Sequence, residues 1–240
     1  DGRGYNLLHL NALYDLERQL FLDAVIQNGR EEHESRALVE LVDRSELTEP
    51  VILIADRGYE AYNNIAHIEQ KGWNYLIRVK EKQGILSGLN LPDTPEFDAC
   101  FSYSLSKRLT SRIRKEPQKY RWLPNKVQFD YIRDASDDLY PLSFRVVRFL
   151  VKEDLYETVI TNLPEARFPP SLLRMLYHKR WGIETAFRDL KYTLALTHFH
   201  AKKRSFIMQE IFAKMTLYNF TSLLRLHARF VQPKGNISTV

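Results

Sequence analysis

The sequence predicts a mixed α/β fold, and three observations carry that expectation. The apolar run Val51-Ile52-Leu53-Ile54-Ala55, a helical pattern and a second apolar run over residues 73–79 give strand–helix–strand alternation, the mark of an α/β unit with parallel pairing. Between residues 85 and about 165 the texture turns to period-two alternation with no helix to interrupt it. From Ser171 onward the pattern is helical.

Composition narrows the classes. The chain has 240 residues, 44% hydrophobic and 27% charged, which suits a folded core and argues against a disordered chain. No apolar run approaches the ~18 residues of a membrane span. The single cysteine, Cys100, excludes an intramolecular disulfide framework and a Cys-cluster zinc site, so a cytoplasmic setting is expected. Charge is uneven: from Ser171 to the end, 12 basic residues face 3 acidic ones, and residues 102–126 hold 8 basic residues against Glu116. Such concentration suits a polyanion, because neutralising phosphates releases counterions. A solvated helix face is the plainer alternative.

Taken in order, residues 7–14 and 20–27 read as a β-hairpin around Asp15, Glu17 and Arg18. Residues 31–44 follow as a helix with Ala37, Leu38, Leu41 and Val42 on one face. The five apolar residues from Val51 form a strand buried on both faces, ending at Asp56-Arg57-Gly58-Tyr59. A helix over about 61–71 closes at Gly72, placed as a C′ glycine, before the strand at 73–79. Strands are expected at 97–105, 127–131, 142–151 and 155–162, then helices at 171–191 and about 205–229. The expected division is a core at 1–84, a β-rich insertion at 85–168, C-terminal core helices at 169–229 and a tail at 230–240.

Two places offer chemistry. Asp56 stands at the carboxyl end of a buried strand, where side chains of an open α/β sheet emerge into the ligand crevice, and a carboxylate there can hold a hard divalent cation. Asp is also a common turn residue. On a continuous helix at about 100° per residue, Tyr177, Arg180, Glu184, Arg188 and Lys191 share one stripe about 80° wide. Leu173, Met175, Leu176, Trp181 and Phe187 are left for packing on the other side. One acid among three bases could share a metal while the bases grip phosphates; a solvated face with i,i+4 ion pairs is the alternative. His198 and His200 lack a third ligand. Trp122 could stack on a base but fits packing better. Neither a Gly-x-Ser-x-Gly elbow nor a Gly-rich phosphate loop is present.

Tyr177, Arg180, Glu184 and Lys191 match Tyr-x2-Arg-x3-Glu-x6-Lys, which resembles the YREK signature of DDE-type bacterial transposases of insertion sequence family 4. Ile54-Ala55-Asp56-Arg57-Gly58-Tyr59, His9-Leu10-Asn11-Ala12-Leu13-Tyr14-Asp15 and Ile160-Thr161-Asn162-Leu163-Pro164 also resemble that family, so the likeness spans roughly residues 4–225. The resemblance implies an RNase H-like core with a β-rich insertion before the last catalytic helix. It implies that Asp56 and Glu184 are two of three carboxylates holding two Mg²⁺ or Mn²⁺ ions for displacement at phosphorus. Tyr177, Arg180, Arg188 and Lys191 would contact double-stranded DNA at transposon ends and target, with the protein acting as a homodimer on DNA.

The first Asp of such a set belongs on a strand ahead of the hairpin. Asp15 falls in a turn and Asp23 within a strand, so the expectation is that the first core strand and its Asp precede Asp1 and that the chain is catalytically incomplete. A non-catalytic DNA-binding remnant, or an RNase H-like nuclease without strand transfer, stays open as an alternative.

Overall fold

The computed structural model describes residues 8–29, 33–81, 83–134 and 136–231. Its elements, in chain order, are β1 (Leu8–Asp15), β2 (Leu20–Asn28), α1 (Glu34–Arg44), β3 (Ile52–Ala55), α2 (Tyr62–Gln70), β4 (Asn74–Arg78), β5 (Phe97–Ser106), α3 (Ser111–Lys115), β6 (Tyr120–Trp122), β7 (Leu139–Lys152), β8 (Leu155–Thr161), α4 (Pro170–His178), α5 (Trp181–Tyr192) and α6 (Arg204–Val231). Contacts divide the chain into two compact units, residues 1–32 with 179–240, and residues 33–178. None of the helices, among the described residues, is long and apolar enough to cross a membrane.

In the first unit β1 and β2 form an antiparallel hairpin. Asp15 builds its turn, accepting the backbone N–H of Glu17 and of Arg18 at 2.8 Å each; Gln19 takes the left-handed conformation, φ 58°. Phe21, Ala24 and Ile26 of β2 pack with Ala186 and Leu190 of α5 and with Ile207, Ile211 and Met215 of α6. Asn219 clips α6 to the strand, donating to the Phe21 carbonyl and accepting its N–H, both at 2.8 Å.

The second unit is a mixed six-stranded sheet in the order β3-β4-β8-β7-β5-β6. β3 runs parallel to β4, and β6 parallel to β5; the other neighbours are antiparallel. The end of the helix before β4 falls where expected: Gly72, at φ 76°, follows α2 in a conformation that costs other residues a Cβ clash. Buried polar groups are paired rather than avoided. Arg145, 5% exposed, forks onto Asp98 (2.5 and 3.1 Å) and caps the carbonyls of Leu163 and Phe168. His67 lies between Asp43 (2.8 Å) and Asp130 (3.0 Å).

β8 pairs with β4, so β5–β8 lie in one sheet with β3 and β4. Tyr75, Leu76 and Ile77 of β4 are fully buried, and an unpaired strand edge there would strand backbone donors and acceptors. Two expectations need correction. No strand forms over 127–131; Phe129 is buried from a loop, and α3 and β6 stand nearby instead. The helix expected over 171–191 is two helices, α4 and α5, separated at Lys179–Arg180. Met175 and Trp181, expected to pack, are 65% and 58% exposed, because the break removes the common helical phase that the stripe assumed.

Candidate active site

Asp56 is the first polar residue after the apolar β3. Its carboxylate caps a single 3-10 turn, Arg57–Tyr59: Oδ1 accepts the Arg57 N–H at 2.7 Å. The Tyr177 hydroxyl donates to the same Oδ1 at 3.5 Å. Among the described residues, Oδ2 carries neither a hydrogen bond nor an ion pair. The turn is held from several sides. Asn64 of α2, fully buried, donates to the Tyr59 carbonyl at 2.8 Å and to Ser35 Oγ at 3.3 Å. Glu34, the first residue of α1, lies so close over Gly58 that any Cβ there would collide with its carboxylate.

Lys80 is brought in by the loop after β4. Glu60 fixes that loop by accepting the N–H groups of Lys80 (2.8 Å) and Ile85 (2.7 Å). Burial pushes the Glu60 carboxyl up, and these two donors pull it partly back. Glu34, Asp56, Arg57, Gly58, Tyr59 and Lys80 line one open cavity of ≈ 580 Å³. Burial first, then the charges of Glu34 and Asp56, pushes the Tyr59 phenol up to about 12, so it stays neutral at physiological pH. A second cavity of ≈ 550 Å³ shares Arg57 and Lys80 and adds Arg78 and Arg148. Arg78 pairs with Glu157 and Arg148 with Glu81, each at 3.4 Å. Arg57 and Lys80 form no ion pair among the described residues.

In the other unit Glu184 projects from the first turn of α5. Arg180 Nη1 donates to its Oε1 at 2.5 Å, with the Glu184 side chain 42% exposed and Arg180 only 12%. The Arg180 guanidinium also lies 5.5 Å over the Trp181 ring. Arg188 and Lys191 are exposed on the same helix and have no ion pair among the described residues. So Arg180, Glu184, Arg188 and Lys191 share α5 and its N-cap, whereas Asp56 belongs to the second unit.

Tyr177 departs from its expected place. It is on α4, 3% exposed, in a cluster with Leu76, Val147, Phe149, Val159, Leu163 and Leu173. Its hydroxyl leaves that cluster toward Asp56. Glu34 and Lys80 were not singled out by the sequence. Neither lies in a motif, and only the packing of α1 and the turn after β4 brings them beside Asp56.

Both carboxylates share a chemical pattern: one oxygen is tied and the other is open. That suits a ligand for a hard cation, since the tied oxygen orients the carboxylate and the open one donates to the ion. No group of three or more His, Cys, Asp or Glu able to hold a metal is found among the described residues. His198 and His200 form no such group; His200 instead lies 3.6 Å from Glu210. Asp15 and Asp23 have each committed Oδ1 to a neighbouring backbone N–H. Compared with known families, residues 1–220 match the model described as Transposase DDE domain. No curated protein matches the chain.

Proposed function

The chain belongs to the transposase DDE domain family, and on that premise we propose that it cuts and joins DNA at transposon ends, with Asp56 and Glu184 as two of the three metal-holding carboxylates. The observation that carries this reading is the family match together with a half-buried Asp at the end of a core strand, lining a cavity with Arg57 and Lys80 and with one oxygen unbonded among the described residues. Its subgroup is insertion sequence family 4, on the Tyr-x2-Arg-x3-Glu-x6-Lys spacing. Its core is RNase H-like, and residues 85–168 are an insertion whose strands extend the core sheet.

When bound, two Mg²⁺ or Mn²⁺ ions would activate the attacking oxygen and stabilise the leaving one. The residues of this chain do the rest. Asp56 and Glu184 present their open oxygens as ligands, and Arg180 holds Glu184 in orientation. Arg188 and Lys191, joined by Arg57 and Lys80, neutralise phosphates of double-stranded DNA. Tyr177, with its ring buried and its hydroxyl reaching Asp56, is the least exposed of the proposed DNA contacts. The first carboxylate is assigned to neither Asp15 nor Asp23. Among the described residues β3 pairs on one side only, which supports a further core strand carrying that Asp. The protein acts as a homodimer on DNA.

A second reading, a DNA-binding remnant without chemistry, is favoured by the absence of a three-carboxylate cluster among the described residues. One assay separates them. Protein from the complete reading frame is incubated with Mg²⁺ or Mn²⁺ and a DNA fragment bearing the element's own terminal repeats. The transposase reading expects metal-dependent nicks at the repeat ends and joined products. Binding without nicks supports the remnant, and nicks without joined products identify a nuclease.

A further inference from the structure

Tyr177 sits in a strange place for a polar tip. Its ring is embedded among Leu76, Val147, Phe149, Val159, Leu163 and Leu173, on β4, β7, β8, α4 and the segment that leads into α4. From that socket the hydroxyl reaches Asp56 Oδ1, 121 residues away in sequence. We propose that Tyr177 is a positioning residue for Asp56, holding the carboxylate by Oδ1 and leaving Oδ2 for a cation at the cavity that Asp56 lines with Glu34 and Lys80. The proposal rests on the reading of Asp56 as a metal-holding carboxylate.

The geometry supports this in three ways. The phenol has little freedom, because a fully packed ring keeps one rotamer. Its contact falls on the oxygen already bonded to the Arg57 N–H, so both donors act on Oδ1 and neither competes for Oδ2. At 3.5 Å the contact is longer than the usual 2.5–3.0 Å of an O–H···O bond; it restrains rotation of the carboxylate through charge and dipole, without binding it tightly. A carboxylate held by its neighbours gives up less freedom on binding a cation, which is how partners behind a ligand raise metal affinity. Tyr177 touches neither metal nor substrate in this role.

The test follows Mn²⁺ alone, without DNA or turnover. Mn²⁺ is titrated into the ¹⁵N-labelled chain, and broadening of the amide signals of Arg57, Gly58 and Tyr59 is read as a midpoint concentration. Tyr177→Phe, which keeps the packed ring, should raise the midpoint about tenfold, the low end of the roughly 10–100-fold typical of residues behind a metal ligand. Its thermal midpoint should stay near that of the wild type. Tyr177→p-aminophenylalanine keeps both ring and donor and should restore the wild-type midpoint, a rescue that a purely structural role does not predict. Asp56→Asn should abolish the response, and in that background Tyr177→Phe should have no further effect. A Tyr177→Phe midpoint equal to the wild type, with Asp56→Asn silent, overturns the positioning role and leaves the reading of Asp56 standing. No response in the wild type, or an undiminished one in Asp56→Asn, overturns both.

Discussion

The Asp56 corner and the Glu184 helix hold the same functional group in opposite settings. Asp56 emerges from a sheet, with Arg57, Asn64, Glu34 and Tyr177 arranged around its turn. Glu184 stands on a helix, 42% exposed, steadied by Arg180 one turn away. The first carboxylate is oriented by the fold before any ligand arrives. The second is steadied by a single exposed ion pair among the described residues, which in the proposed role would yield to phosphate. Stability should therefore depend on residues around the corner, and DNA affinity on residues of the helix.

The largest effect should come from the buried ion pair in the unit that carries Asp56. Arg145→Ala leaves Asp98 as an uncompensated charge, 15% exposed, and uncaps the carbonyls of Leu163 and Phe168 in the segment that leads to α4. Loss of one partner of a buried pair costs about 3–5 kcal/mol, to be read from urea unfolding of the variant against the wild type. A loss under about 1 kcal/mol would mean that this pair does not hold the unit together.

A smaller effect concerns pH. Burial pushes the Glu69 carboxyl on α2 up to about 7. A raised pKa means that the folded state prefers the proton, so its stabilising share is present below the unfolded value near 4.5 and is lost as pH rises through about 7. Glu69→Gln should remove that decline, adding about 1–2 kcal/mol at pH 8, after discounting for partial exposure, and nearly nothing at pH 4. Asp130 bends the other way. Burial would raise it, but hydrogen bonds from Asn63, His67 and Gln128 hold its carboxyl below the usual range. Its share of stability is therefore present above the unfolded value and lost on acidification through the lower folded one. Asp130→Asn should flatten the acid limb of the stability profile.

The smallest stability effects should lie on α5. Arg188→Ala and Lys191→Ala change exposed residues without ion pairs among the described residues, and should shift unfolding by less than about 0.5 kcal/mol. Each should nonetheless weaken DNA binding and lower the slope of log affinity against log salt by about one. Arg180→Ala should do the same at a cost of about 0.5 kcal/mol in its i,i+4 pair. If these variants unfold the chain instead, the helix is structural and the comparison fails.

The same contrast decided what the sequence could tell. The place of Asp56 was legible because its signal is local: five apolar residues in a row mark a strand, although β3 alternates buried and half-buried residues at the sheet edge, and the next residue emerges at its end. The α2 terminus at Gly72 was legible for a similar reason. Arg180, Glu184, Arg188 and Lys191 were legible as one group because they lie within or beside a single helix. That Tyr177 lies on a separate helix from Arg180 and Glu184 was not legible. A break without Pro leaves no mark in the periodicity. Glu34 and Lys80 reach Asp56 through tertiary packing, and the pairing of β8 with β4 joins residues more than 80 apart. Such long-range choices depend on which edges need partners, a property of the whole sheet.

The most direct test of the central claim is metal-dependent cleavage by protein from the complete reading frame, comparing Asp56→Asn with Glu184→Gln on DNA carrying the element's terminal repeats. Both variants should bind that DNA at least as tightly as the wild type and lose Mg²⁺- or Mn²⁺-dependent nicking by at least about a hundredfold, roughly 3 kcal/mol of barrier. Nicking at the wild-type rate by either variant would contradict the assignment of these two carboxylates.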